Sequence, residues 1–287
     1  MSNSVSSPVG KVGNANFPVD ENGVVYHLGV ANNGLAQRVL TVGDYGRASK
    51  LRDKLLEQPV KTTEHRGFHI HTGTYKGVRV SIVSIGMGTP MMDFLVREGR
   101  FVAVGPMAII RYGTCGSLRD VPVGSLAIAK DCVLIRRNPD HWHPEGKDAQ
   151  PYDISLPFAG DSALIGNLTT AFQKGEGLEG RQVVVGTNAT GDSFYSSQGR
   201  QDANFDDHNQ DLINKLMQRY PEASTLEMET FQLYHLATRS KEPIKAAAAT
   251  IILANRVDNT FLDNDTKSAL EIAGGRACLE ALINTTL

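Results

Sequence analysis

The chain has 287 residues, 41% hydrophobic and 21% charged, with 29 Lys and Arg against 31 Asp and Glu for a formal net charge of −2. That length can bury one large α/β core or two small ones, and a near-neutral balance without a basic block excludes a nucleic-acid binder held by a broad positive surface. No apolar run approaches a membrane span, and Cys115, Cys132 and Cys278 fit neither a disulfide framework nor a zinc spacing.

Residues 1–24 open with MSNSVSSPVGKVGNANFPVD, which lacks the apolar core of a signal peptide and the Arg-rich pattern of a transit sequence. They are expected to form a flexible arm on a cytoplasmic protein, ahead of one domain over 25–287. RVLTVG (38–43) predicts a strand, and residues 47–58 a helix that stops before Pro59. Residues 68–75 and 78–86 predict a hairpin around Lys76-Gly77. Residues 91–104 have helical spacing, and 107–113 and 124–135 read as strands. Residues 136–160 are rich in Pro, Asp and His and carry no periodicity. They are expected to be a long loop, in which His141 and His143 around Trp142 read as surface residues before metal ligands. A helix over 163–174, a strand over 181–190 and a helix over 206–220 from an acidic cap follow. Residues 242–255 contain a buried strand, although their alanines also permit a helix. The last segment reads as a helix weakened at Gly274-Gly275. This alternation is α/β, with helices covering the faces of a sheet.

Four Gly-rich turns are expected after strands: VGDYGR (42–47), IGMGTP (85–90), RYGTCGS (111–117) and GTNATGDS (186–193). Ligands collect beyond the C-terminal strand ends of such sheets, where small residues let backbone N–H groups approach an anion. Arg47 and Arg111 lie in two of these turns. Each alone reads as a cap or surface charge, whereas the pair suggests a phosphate clamp. In GDSFYSSQGR (191–200), Phe194 offers a ring face, and Gln198 and Arg200 share one side if the segment is extended. Gln supplies donors and an acceptor and Arg supplies donors, which matches an imide edge such as that of uracil; a polar surface loop is the plainer reading. Glu227 and Glu229 sit one residue apart inside the apolar stretch 224–240. Unpaired burial of carboxylates is costly, so a solvated edge, a structural ion pair or a site must explain them. An extended run over 225–229 would put both on one face. Cys115, between Thr114 and Gly116, reads as a small buried filler ahead of a reactive thiol.

Seven segments in order, YHLG, VGDYGR, EHRGF, RYGTCGS, DSFYSSQGR, LEMET and ILANR, resemble the nucleoside phosphorylase family, from residue 25 almost to the C-terminus. The spacing of Phe194, Gln198 and Arg200 resembles its uridine phosphorylase branch. The resemblance implies a single domain with a central mixed β-sheet flanked by helices. It implies reversible phosphorolysis of uridine to uracil and ribose 1-phosphate, in pyrimidine salvage. No cofactor and no metal are expected, with inorganic phosphate as co-substrate. Gly43, Arg47, Arg111 and Thr114 would bind phosphate, joined by Arg66 from a neighbouring subunit. His27 would approach the neighbour's ribose, so a homodimer or larger assembly is implied. Met228 and Glu229 would hold ribose, with Glu227 either beside them or neutralising the arginines in a structural role. Phe194, Gln198, Arg200 and Arg256 would hold the base. Arg111, Gln198, Arg200 and Glu229 would carry catalysis. No nucleic acid or membrane partner is expected.

Purine enzymes of the family place an acidic Asp where this chain has Asn255-Arg256. A purine phosphorylase or a nucleosidase on the same scaffold, and a non-catalytic nucleoside-binding protein, are the alternatives. Tyr45, Thr89, Met91 and Gly67 depart from common family residues, and the last two remove the Ser and Glu that hold an alkali ion in bacterial members.

Overall fold

The computed structural model describes residues 9–146 and 148–287; residues 1–8 of the expected arm lie outside the described residues. The described part of that stretch is anchored. Val12 bridges Asp20, Val19 bridges Val25, and the Asp20 carboxylate accepts from the backbone N–H of Gly10, Asn22 and Val24.

In chain order the elements are β1 (Arg38–Val42), α1 (Tyr45–Leu55), β2 (Glu57–His65), β3 (Phe68–Tyr75), β4 (Val78–Ser84), α2 (Thr89–Val102), β5 (Met107–Ser117) and β6 (Leu126–Arg137). Then follow β7 (Tyr152–Ile154), β8 (Phe158–Ala159), α3 (Ser162–Lys174), β9 (Val183–Gly191), α4 (Leu212–Arg219), β10 (Ala223–Glu227), α5 (Thr230–Arg239), β11 (Ile244–Asn255), β12 (Thr260–Phe261) and α6 (Asn264–Ile283). Among the described residues the strands form one mixed sheet. β2, β3 and β4 are antiparallel neighbours, and β4, β1 and β5 run parallel. β5 is long enough to outlast β1. It pairs with β11 along its whole length and with β10 through Gly116 and Ser117. Because β11–β6, β6–β9 and β9–β10 also pair, the strands β5, β11, β6, β9 and β10 close into a ring.

Side-chain alternation divides the core. Ala108, Ile110 and Tyr112 of β5 pack with Leu51 of α1, Phe172 of α3 and Leu279 of α6. Met107 and Ile109 pack with Leu95 of α2 and Leu233 of α5. Successive residues of β5 therefore face opposite helical layers, as strand geometry requires. Leu212 and Leu216 of α4 close a smaller cluster with Val133, Ala189 and Leu226 at the far side of the ring.

Five expectations are corrected. The first helix ends at Leu55, because Glu57–His65 forms β2. That strand is at the sheet edge and mostly exposed, so it lacks the apolar alternation that would announce it. RYGTCGS and GTNATG are strand residues within β5 and β9, not turns, since both strands continue into the ring. Residues 136–160 are pinned to the sheet, with a 3₁₀ turn over Pro139–Trp142 and with β7 and β8 paired to β6. The helix expected over 206–220 is confined to α4; His208 before it has φ 48°, outside helical space.

The fifth correction is Gly274-Gly275. α6 runs through them without a break. A Cβ on Gly274 would lie 2.0 Å from the Tyr112 hydroxyl, and one on Gly275 would lie 2.4 Å from Leu51. These glycines let the helix approach the sheet and α1. Gly274→Ala would gain about 1 kcal/mol of helix propensity but overpack Tyr112 by about 1–3 kcal/mol. A net fall in Tm is expected, and a rise would show that the close approach is not needed.

Candidate active site

The C-terminal ends of β1, β5 and β10 meet at a cavity of about 350 Å³. Met107 and Ile109 place their alternation partner, Arg111, on the α5 side of β5. The Arg111 guanidinium is buried; its Nε donates to Glu229 Oε2 at 3.1 Å and lies 3.1 Å from Glu227 Oε2, while Nη2 donates to Glu229. Nη1 is buried without a partner. Burial works against the charge of Arg111, but the two carboxylates outweigh it and keep the guanidinium protonated. Gly113 makes the room: a Cβ there would stand 2.2 Å from Arg111 Nη1.

The two glutamates have different duties. β10 ends at Glu227 and α5 starts at Thr230, so Glu227 is extended and Glu229 sits at the helix entrance. Glu229 Oε1 accepts the Gly88 N–H at 2.6 Å, and Oε2 takes Arg111. Glu227 accepts from Asn188 Nδ2 at 2.7 Å, from the Thr190 hydroxyl, and from the N–H groups of Glu229 and Thr230 at 2.9 and 3.0 Å. Burial alone would push its carboxyl up, but Arg111 and the Thr190 hydroxyl hold it below the usual carboxylate range. Its oxygens are therefore saturated by protein donors. Of the two roles open to Glu227, these contacts are those of the arginine-neutralising one: it braces Arg111 and the Met228 turn.

The phosphate-type residues come together. Gly43, Arg47, Arg111 and Thr114 all line the cavity, as does Met228. Arg47 is buried in the first turn of α1, where Nε donates to Glu271 Oε1 at 3.0 Å and Nη1 to the Tyr112 carbonyl at 3.3 Å. A Cβ on Gly43 would lie 3.2 Å from the Gly86 carbonyl, so two strand-end turns cross closely there. Asp44 also lines the cavity and caps α1 by accepting the Arg47 N–H at 2.7 Å; an Asp before a helical run was a signal available in the sequence.

At the other end stand Phe194, Gln198 and Arg200. They are not extended. Ser196–Gln198 is a 3₁₀ turn and Gly199 has φ 62°, a left-handed conformation that suits glycine. The turn still brings them together: Arg200 Nη1 donates to Gln198 Oε1 at 2.6 Å and to the Phe194 carbonyl at 2.8 Å. Arg200 Cζ also lies 3.8 Å from the Phe194 ring centroid, so one ring face is covered and only the other can stack on a ligand. Burial, then Arg256, lowers the Arg200 pKa to about 10, which leaves it charged at neutral pH. Leu226, Leu253, Ala254 and Phe261 complete an apolar wall, for which the sequence offers no motif.

Three expected residues stand apart from the cavity lining. Arg256 donates to the Gln198 carbonyl and, at 3.3 Å, to the Gly199 carbonyl, so it holds the turn from outside. Arg66 projects from the β2–β3 turn with its guanidinium over the Tyr26 ring. His27 stacks on Phe94, and its Nδ1 is 2.6 Å from Glu98 Oε1. Asn255 is buried with its amide bonded to Val121 and Val257 backbone. Cys115 lines the cavity, is buried and accepts from the Thr250 hydroxyl; burial pushes its thiol up to about 12, against reactivity. Among the described residues no group of three or more His, Cys, Asp and Glu side chains converges on a metal position, and no helix is long and apolar enough to cross a membrane.

The family model of the phosphorylase superfamily matches residues 37–283. The chain is 31% identical over 268 residues to a uridine phosphorylase of Thermococcus kodakarensis, covering 92% of this chain and 90% of that protein. It is also 31% identical over 215 residues to a DeoD-type purine nucleoside phosphorylase of Oceanobacillus iheyensis, covering 74% of this chain and 80% of that one. A solved structure from work on two uridine phosphorylases of the oomycete Phytophthora capsici superposes with a TM-score of 0.91 at 39% identity, covering 96% of this chain and 100% of the other.

Proposed function

The chain belongs to the phosphorylase superfamily, and within it we propose that it is a uridine phosphorylase, cleaving uridine with phosphate to uracil and ribose 1-phosphate. The observation that carries this reading is the bond from Arg200 to Gln198 Oε1. With the amide oxygen turned to Arg200, the second lone pair of Gln198 Oε1, an N–H of Nε2 and the remaining Arg200 N–H groups would offer a donor–acceptor–donor edge. Uracil presents the complement: O2 accepts, N3–H donates and O4 accepts. Among the described residues, the carboxylates lining the cavity are Asp44, which caps α1, and Glu227 and Glu229, which are paired with Arg111. A purine base would need a proton on N7 to leave, and no acid stands ready for it at the base end.

The proposed chemistry follows from charge. A phosphate oxygen attacks ribose C1′ as the C1′–N1 bond breaks, and the bonding pair leaves with the base. Positive character builds on the ribose and negative charge spreads over O2 and O4 of uracil. Arg111, whose Nη1 lacks a partner, would clamp phosphate with Arg47, Thr114 and the Gly43 turn. Glu229 would accept two ribose hydroxyls beside Met228. Arg200, cationic at neutral pH, would stabilise the departing anion, and N1 then takes a proton from solvent.

The same reading places Arg66 at the phosphate and His27 at the ribose of a neighbouring subunit, so the working unit is a homodimer or larger, consistent with both side chains lying outside their own cavity lining. It places the enzyme in cytoplasmic pyrimidine salvage.

Incubation of the protein with uridine, with and without phosphate, tests this by the absorbance change on release of uracil. Cleavage is expected only with phosphate. Fast hydrolysis in its absence would make the chain a nucleosidase, and faster turnover of inosine would make it a purine enzyme. Arg200→Ala is expected to lose kcat on the order of tenfold to hundredfold, the scale of one charge-assisted hydrogen bond, with an unchanged Tm.

A further inference from the structure

The turn that carries Gln198 and Arg200 has little of its own to hold it. It leaves β9 after Gly191 and is organised locally by a three-residue 3₁₀ segment and the Ser197 hydroxyl on Asp192, while Arg256 holds the Gln198 and Gly199 carbonyls. Where its carbonyls are buried they need donors, because an unpaired buried carbonyl is costly. Asn209 supplies two. Its side chain is 2% exposed, and Nδ2 donates to the Ser196 and Arg200 carbonyls, each at 2.9 Å. Those carbonyls bracket Gln198. The Asn209 Oδ1 is fixed in turn by Gln201 Nε2 at 2.8 Å, so the amide cannot rotate without loss.

Asn209 is itself pinned from behind by the 136–160 segment. The Tyr152 hydroxyl, on β7 and therefore tied to β6, donates to the Asp207 carbonyl at 2.7 Å. His141 Nε2 lies 2.7 Å from His208 Nδ1, and His141 Nδ1 lies 2.7 Å from the Ala149 carbonyl. Trp142 stacks on the His208 ring. A series of contacts thus runs from the sheet through Tyr152, His141 and Trp142 to Asp207 and His208, the two residues before Asn209, and from Asn209 to the Ser196 and Arg200 carbonyls.

We infer that Asn209 is a positioning residue for base recognition and that the 136–160 segment is its buttress. Asn is the residue type this position needs: one short side chain with two amide N–H donors on one nitrogen. Without it, the Arg200 carbonyl loses its donor, the Ser196 carbonyl keeps only the Gly199 N–H, and the spacing between Gln198 and Arg200 relaxes. The consequence is confined to the base end, because the phosphate residues sit in the turn after β1, on α1 and on β5. This inference rests on the reading of Gln198 and Arg200 as the residues that meet the base.

The test compares Asn209→Ala, Tyr152→Phe and Arg200→Ala in the full chain, by calorimetric titration with uracil and by KM values for uridine and phosphate. Asn209→Ala is expected to weaken uracil binding and raise the uridine KM on the order of tenfold, the effect of leaving one acceptor unpaired. The phosphate KM is expected to stay unchanged. Tyr152→Phe deletes one hydroxyl and should shift the uracil constants in the same direction by less; it carries the test if Asn209→Ala does not fold. Uracil binding unchanged in both variants, while Arg200→Ala loses it, would overturn the buttress and leave the base reading standing. Uracil binding unchanged in Arg200→Ala would overturn the base reading itself. Equal loss of uracil and phosphate affinity in Asn209→Ala would mean a general loss of fold and would also overturn the inference.

Discussion

Arg111→Ala is expected to abolish measurable phosphorolysis and to remove about 3–5 kcal/mol of stability, the usual cost of leaving a buried charge without its partner. Glu227 and Glu229 are both buried and both face this guanidinium. Its removal strands two carboxylates at once and takes away the one buried Nη with no partner inside the protein among the described arginines that line the cavity. The pH dependence separates this cause from a simple packing defect. In the parent protein burial pushes the Glu227 carboxyl up, but Arg111 together with the Thr190, Glu229 and Asn188 hydrogen bonds outweighs it and holds the group below its ordinary value of 4.5. That contribution is fully present above 4.5 and is lost as pH falls through the lowered folded value. In the variant only burial and the neighbouring hydrogen bonds remain, and burial is the largest influence on this group. If its folded value then rises above the unfolded one, the variant loses stability as pH climbs from acid to neutral. Melting temperatures of both proteins at about pH 5 and about pH 8 check this, and the deficit should be larger at the higher pH. A deficit independent of pH would show that the loss is one of packing.

Residues that combine unusual chemistry with a strand end were the legible part of the site. Arg47 and Arg111 stand beside small residues at the ends or along the inner strands, and Glu229 breaks an apolar run, so each violates a local expectation and thereby shows itself. Strands β1, β5 and β11 were legible for the opposite reason, since their residues obey the pattern of a buried parallel strand. The limits of β5 were not. RYGTCGS reads as a turn because glycine weakens a strand locally, while its purpose is long-range: Gly113 admits the Arg111 guanidinium and Gly116 admits Arg256, whose Cδ would lie 3.3 Å from an added Cβ. The same holds for Gly274, whose partner Tyr112 is far away in sequence. Asn209 is illegible in the sequence because the groups it serves at the turn are backbone carbonyls, which every residue has. A side chain that satisfies the main chain leaves no trace in composition or spacing.

Glu229→Gln is expected to separate two functions that one carboxylate combines. Without substrate, Glu229 occupies the Nε and Nη2 donors of Arg111 while its other oxygen holds the Gly88 N–H. It therefore competes with phosphate for the same guanidinium. Glutamine keeps a carbonyl oxygen for the Gly88 N–H, so the turn before α2 survives, but it gives up the ionic hold on Arg111. Turnover should fall on the order of a hundredfold, because a neutral amide is a weaker acceptor for the ribose hydroxyls than a carboxylate. Phosphate should nevertheless bind more tightly, on the order of several-fold, since the anion beside its arginine is gone. Calorimetric titration with phosphate reads the second effect directly. The parent protein offers the same comparison without a mutation. An inert C-nucleoside such as pseudouridine, whose hydroxyls engage Glu229 but whose C–C glycosidic bond cannot be cleaved by phosphate, should tighten phosphate binding. By linkage, phosphate should tighten binding of the C-nucleoside by the same factor. Weaker phosphate binding in Glu229→Gln would mean that Glu229 supports the phosphate site through Arg111, and that its charge does not oppose the anion.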